Sequence, residues 1–203
     1  MPLLHPQLDL DRCPHCSVDK PTLGQRSAFS TTDHSGAGTR FWIVYACSRC
    51  GGVVTASSSH EKGVVKEVYP TPTTVAQPIP EPARSYLTQA LESLHTPAGG
   101  VMLAASAVDA MLKAKSYKLG SLFDRINKAA AEHLITDEMA KWAHSVRLDA
   151  NDPRHADEAA PLPSPADARR SLDFALALAE FLFVLPSKVN QGLTDAEAGT
   201  GGA

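Results

Sequence analysis

The spacing of apolar residues changes period once along the chain. In the first third it is strand-like. Residues 40–46, Arg40-Phe41-Trp42-Ile43-Val44-Tyr45-Ala46, are rich in aromatic and β-branched side chains. Residues 25–32 form a weaker strand candidate, and 52–56 and 64–69 complete a small sheet. Trp42 and Tyr45 lie on mixed faces at strand spacing, which favours core packing over a base-stacking platform. Five prolines between Pro70 and Pro82 then exclude a central strand or a helix interior and predict an extended linker.

Beyond the linker the period is helical. A first helix over 82–95 carries Leu87, Ala90, Leu91 and Leu94 on one face. Thr96-Pro97 opens a second, with an apolar stripe from Val101 to Leu112 and a stop at Gly120. Ser121 with Asp124 has the spacing of a capping box for a third helix. Thr136-Asp137-Glu138 starts a fourth, whose core stripe is Met139, Trp142, Ala143, Val146 and Ala150. Pro153 predicts that this helix ends or kinks near Asp152, with His155 on the turn beyond. Ser164-Pro165 caps the last helix, which Leu185-Pro186 should end. The resulting expectation is an α+β chain: a small β unit over residues 1–69, a proline-rich linker over 70–82, an all-α bundle over 83–189 and a disordered tail over 190–203.

Composition narrows the function without naming it. A formal charge of −3 gives no global basic field, so any nucleic-acid contact has to be a local patch. No apolar run is long enough to span a bilayer, and the first residues have neither a basic start nor an apolar core, so a cytoplasmic chain with no membrane partner is expected.

The strongest chemical signal is a pair of C-x-x-C knuckles, Cys13-Pro14-His15-Cys16 and Cys47-Ser48-Arg49-Cys50. Two intervening residues let both thiolates of a knuckle turn towards one ion. Four thiolates close a tetrahedral site with no open position, which is the structural Zn²⁺ pattern of a zinc ribbon. His15, inside the first knuckle, is expected to be exposed and not a ligand.

The second signal is Arg147, Asn151 and His155, spaced every four residues at the end of the fourth helix. On a helical wheel Arg147, Asn151 and His144 flank the core stripe. An arginine, an amide and an imidazole held there can bind a phosphate or form a structural hydrogen-bond knot. The acidic pair Asp157-Glu158 nearby favours a charged imidazole and opposes a nucleic-acid backbone.

At these three residues the chain resembles domain of unknown function 4145, a bacterial helical domain often found with restriction endonucleases. Amino-terminal zinc knuckles like Cys13/Cys16 and Cys47/Cys50 occur in stand-alone members. The resemblance covers roughly residues 80–190 and implies kinship with the HEPN helical bundles, many of which are dimeric, metal-independent ribonucleases with an arginine–histidine motif. Others only bind RNA, nucleotides or proteins. Leu148 to Arg154 separate Arg147 from His155, a wider gap than the usual ribonuclease motif has. The favoured expectation is therefore a zinc-containing binding or accessory module of a bacterial nucleic-acid or defence system. Its partner would be RNA, DNA or a nuclease or defence protein, and the helical unit would form a homodimer. The alternative is an HEPN-type endoribonuclease, with His155 moving the proton, Arg147 stabilising phosphate charge and Asn151 orienting one of them.

Overall fold

A computed structural model describes the backbone of residues 2–155 and 161–200, and the side chains of 2–151 and 161–198. The chain is α+β. It divides into two compact units, Met1–Thr74 and Val75–Ala203.

The first unit is a five-stranded antiparallel meander. Its strands are β1 (Gln7–Leu8), β2 (Leu23–Thr31), β3 (Arg40–Cys47), β4 (Val53–Ser58) and β5 (Glu67–Tyr69), in the order β1-β2-β3-β4-β5. Alternation sorts the two faces. Ile43, Tyr45 and Cys47 of β3 and Val54 and Ala56 of β4 point to a small core closed by Leu4, Leu8 and Leu23. Tyr45 is fully buried and donates its hydroxyl to the His5 carbonyl at 2.8 Å, as its assignment to the core requires. Trp42 departs from that assignment: it is half-buried on the opposite, outward face. The strand β1 is too short for its sequence to show a period. The bulge between Gln25 and Ser27 interrupts the alternation that would have marked β2 more clearly.

In the second unit, α2 (Pro97–Ala114) is the central element. It packs against α1 (Ala83–Glu92), α3 (Leu122–Ala131), α4 (Asp137–His155) and α5 (Pro165–Ala179). Gly100, Ala104, Ala105, Ala107 and Ala110 are buried along it, and small side chains let neighbouring backbones approach from several sides. Capping boxes hold both predicted starts: Ser121 with Asp124 on α3, and Ser164 with Asp167 on α5. Arg125 is buried in α3, where Nε donates to Asp109 Oδ1 at 2.7 Å and Nη1 donates to the Gly120 carbonyl.

Four further expectations differ from the structure. The second half of the proline stretch belongs to the helical unit, because Ile79 is buried in its core with Val75 and Ala76 packed alongside. The backbone of α4 continues to His155 without ending near Asp152. Trp142 is 40% exposed and packs its ring against Phe174 at 4.9 Å. Leu185-Pro186 does not end the last helix. A π-helical turn over Glu180–Val184 leads into α6 (Leu185–Thr200), where a disordered tail is expected from the sequence. The Leu185 N–H bonds to the Glu180 carbonyl five residues back, and the wider turn makes room for a proline ring that an α-turn would crowd.

Candidate metal centre and the Arg147 face

The two knuckles are local copies of one backbone design. In each, the first cysteine's carbonyl accepts the N–H four residues on: Ser17 to Cys13 and Gly51 to Cys47, both at 2.9 Å. The first cysteine's own N–H is also taken, by the Val18 carbonyl at 3.1 Å and the Gly52 carbonyl at 3.0 Å. Closing such a turn requires positive φ after the second cysteine, +56° at Ser17 and +72° at Gly51. Antiparallel pairing of β2 with β3 fixes the second knuckle at the end of β3. The Cys13 N–H bond to Val18 and the Arg12–Asp19 bridge shape the first.

These turns bring the Sγ atoms of Cys13, Cys16, Cys47 and Cys50 within 4.8 Å of one another. Cys13 and Cys50 Sγ are 3.9 Å apart, far beyond a disulfide bond. A tetrahedral ion with metal–sulfur bonds of about 2.3 Å separates its ligands by about 3.8 Å, so the four thiols fit a single metal ion. The Gly52 N–H points at Cys50 Sγ from 3.4 Å, as expected for an amide solvating a thiolate. Burial pushes the Cys13 thiol up to about 12, and burial also raises Cys50. Burial acts on Cys47 in the same sense, but the backbone N–H groups of Cys50 and Arg49 bring it below its ordinary value. Two of the four sulfurs are buried, and a bound cation would hold the set as thiolates.

His15 is exposed and outside the sulfur set. Its Nε2 lies 2.8 Å from the Val53 carbonyl, and its ring crosses Gly52 so closely that a Cβ there would meet Cδ2 at 2.4 Å. It braces one knuckle against the strand leaving the other.

The second candidate lies where α3 meets α4. The Arg147 guanidinium sits over the Phe123 ring at 5.4 Å, and the His144 ring is 4.9 Å from Phe123. A recess of about 200 Å³ is lined by Arg147, Asn151, Ala150, Ala105 and residues Ser121, Leu122 and Phe123 at the start of α3. Arg147 Nε is buried with no hydrogen-bond partner. The structure therefore brings Arg147 and Asn151 to one recess. The side chain of His155 and the pair Asp157-Glu158 lie outside the described residues. Sequence reasoning missed Phe123 and Asn127. Phe123 faces water at a helix start, where apolar periodicity carries no information about it. Asn127 bonds His144 Nε2 through Oδ1 at 3.0 Å. Burial, and then the Arg147 charge, lower the affinity of His144 for a proton.

Among the described residues, no helix is long and apolar enough to cross a membrane. Residues 89–196 match the family described as Domain of unknown function (DUF4145), a span that includes Arg147, Asn151 and His155 and excludes the four cysteines. No curated protein and no solved structure matches the chain.

Proposed function

The chain belongs to the DUF4145 family, and on that footing we propose that it is a non-catalytic binding module with a structural zinc ion, whose helical unit grips a phosphate of a nucleic-acid partner. The observation that carries the reading is Arg147. Its guanidinium rests on Phe123 with Nε buried and without a partner, beside Asn151 in an open recess. A structural knot would consume those donors internally. Arg147 Nε is not consumed in that way, and arginine's planar fork suits phosphate. An all-thiolate tetrahedron suits zinc, and four sulfurs exclude a substrate position. Cys13, Cys16, Cys47 and Cys50 would hold it, and its role is to tie the small sheet together. The homodimer belongs to the same reading. Phe181, Leu185, Val189 and Leu193 repeat every four residues and are 41–60% exposed, forming an apolar row on which a second copy can pair.

The test combines elemental analysis with fluorescence anisotropy on labelled RNA and DNA oligonucleotides. One zinc per chain is expected, with binding that weakens as salt rises. Arg147→Ala should lower affinity across all sequences and reduce the salt slope by about 1. A wild-type chain that binds neither RNA nor DNA at low salt refutes the ligand class. Cleavage of RNA in the presence of chelator, lost in Arg147→Ala and His155→Ala, would instead establish the ribonuclease alternative.

A further inference from the structure

The outward face of the sheet carries an aromatic row that the core does not use. Phe29 on β2 pairs directly with Trp42 on β3, and their rings lie 6.4 Å apart and within 13° of parallel. Trp42 pairs with Ser57 on β4, and Thr55 on the same face pairs with Tyr69 on β5. Because β4 presents only these small side chains, Trp42 and Tyr69 meet across it, with ring centroids 6.3 Å apart. Ser57 is buried beneath them. Phe29 and Tyr69 are each 50% exposed, although the other face of the same strands already supplies the packed core. The Trp42 indole is fixed by its Nε1–H, which donates to Thr31 Oγ1 at 2.9 Å. The row is thus preorganised and wet.

Next to Trp42 lies a polar trough of about 580 Å³. It is edged by the cations Arg40 and Lys66, the hydroxyls of Thr31 and Ser59, and the carboxylates Asp33 and Glu67. Arg40, which is exposed, faces the half-buried Glu67 at 3.4 Å, and Glu67 also accepts from Ser57 Oγ at 3.0 Å, so a phosphate can take over Arg40 without leaving the carboxylate unpartnered.

We propose that this face is a second ligand site, a stacking platform for single-stranded nucleic acid, with Phe29, Trp42 and Tyr69 each offering a ring face to a base and Arg40 and Lys66 taking the backbone. It borrows its ligand class from the nucleic-acid reading above but rests on different residues in a different unit. Sheets that read single strands stack two or three unpaired bases on aromatic side chains in this way. Stacking tolerates any base, because every base has a π face, and Arg40 and Lys66 are the cations beside the row that can meet the backbone. A duplex keeps its bases stacked on each other and gives such a row nothing to contact. A protein segment would use the rings but not the Arg40–Lys66 trough, so the cations favour nucleic acid.

The experiment uses the full, zinc-loaded chain and a labelled oligouridylate of about a dozen nucleotides at low salt, read by anisotropy and by quenching of tryptophan emission. The expected result is quenching by the single strand and not by a duplex of equal length. Phe29→Ala and Trp42→Ala should each weaken binding roughly ten-fold with zinc content unchanged, and Trp42→Phe, which keeps a ring, should retain most of it. Loss of zinc in Trp42→Ala would mark a folding defect, and Phe29→Ala, Tyr69→Ala and Trp42→Phe then decide the question. Aromatic variants that bind as wild type while Arg147→Ala loses affinity would overturn the platform and leave the helical site standing. Equal binding of duplex and single strand would overturn it too. Binding lost only in the aromatic variants supports the platform and removes the Arg147 recess from the ligand.

Discussion

The knuckle turns allow a paired substitution with opposite expected signs. Ser17 and Gly51 hold the same place in their knuckles, and both have left-handed backbone. A left-handed conformation costs an L-residue about 1–2 kcal/mol, whereas glycine adopts it freely. At Gly51 a Cβ would meet nothing within 4 Å, so Gly51→Ala adds backbone strain alone. The stiffer unfolded chain offsets about 0.4–1 kcal/mol of that, leaving a net loss of about 1 kcal/mol. Ser17→Gly runs the other way. The two bonds its backbone makes, the N–H to the Cys13 carbonyl and its carbonyl to Arg12 Nη1, do not depend on the side chain. Relief of about 1–2 kcal/mol, less glycine's extra entropy of about 0.5–1 kcal/mol, leaves a gain of about 0.5–1 kcal/mol. In so small a unit metal binding and folding are one equilibrium, so both changes appear in zinc affinity. Competition against a chromophoric chelator should show Gly51→Ala weaker by roughly five-fold and Ser17→Gly tighter by roughly two- to five-fold. If Gly51→Ala binds zinc as wild type, or Ser17→Gly binds it more weakly, the turn geometry does not control the centre and the reasoning fails.

Three further outcomes are expected. Asp109→Ala strands the buried Arg125 guanidinium, and urea unfolding should show a loss of about 3 kcal/mol; a change under about 1 kcal/mol would mean the pair contributes no more than a surface bridge. His144 holds its proton less tightly folded than unfolded, so its neutral form supports the fold above its ordinary value of 6.5, and that support is lost as pH falls through 6.5 towards the folded value. Melting temperatures taken from about pH 7.5 down to about pH 5 should fall more steeply for wild type than for His144→Gln, and parallel curves would exclude the effect. Light scattering should show a dimer that the double substitution Val189→Asp, Leu193→Asp returns to a 21.6 kDa monomer; a dimer that survives it pairs through another face.

What the sequence revealed depended on how local each feature's cause is. Knuckles and capping boxes are set by residues a few positions apart, and Cys13/Cys16, Cys47/Cys50, Ser121/Asp124 and Ser164/Asp167 all read directly. Arg125 could not be placed in the core from its own helix, because its partner Asp109 lies on α2. Trp42 was assigned to packing because strand composition does not tell which face is covered. Only the register with β2 and β4 shows its ring lying outward beside Phe29 and over Ser57. The passage through Pro186 likewise depends on a π-turn that periodicity counted at 3.6 residues does not anticipate.

The arrangement around Phe123 bears on whether this face performs chemistry. General acid–base catalysis needs an imidazole nitrogen within reach of the substrate and able to change its protonation near neutral pH. His144 is the histidine beside Phe123 among the described residues, and its ring nitrogens do not meet the first condition. Asn127 Oδ1 can only accept, so Nε2 carries the proton and is committed to that bond, while Nδ1 is buried without a partner. Protonating Nδ1 would set a second charge beside Arg147 in a position water does not reach. Burial and the Arg147 charge thus disfavour the charged ring, and His144 packs as a support for Phe123. Among the described residues that line the recess, Ser121 is engaged in its cap with Asp124, which leaves Arg147 and Asn151 as the polar side chains. Together they offer donors to an anion but no base to deprotonate a nucleophile. If a phosphate occupies the recess, Arg147 and Asn151 can hold it but cannot supply a general base.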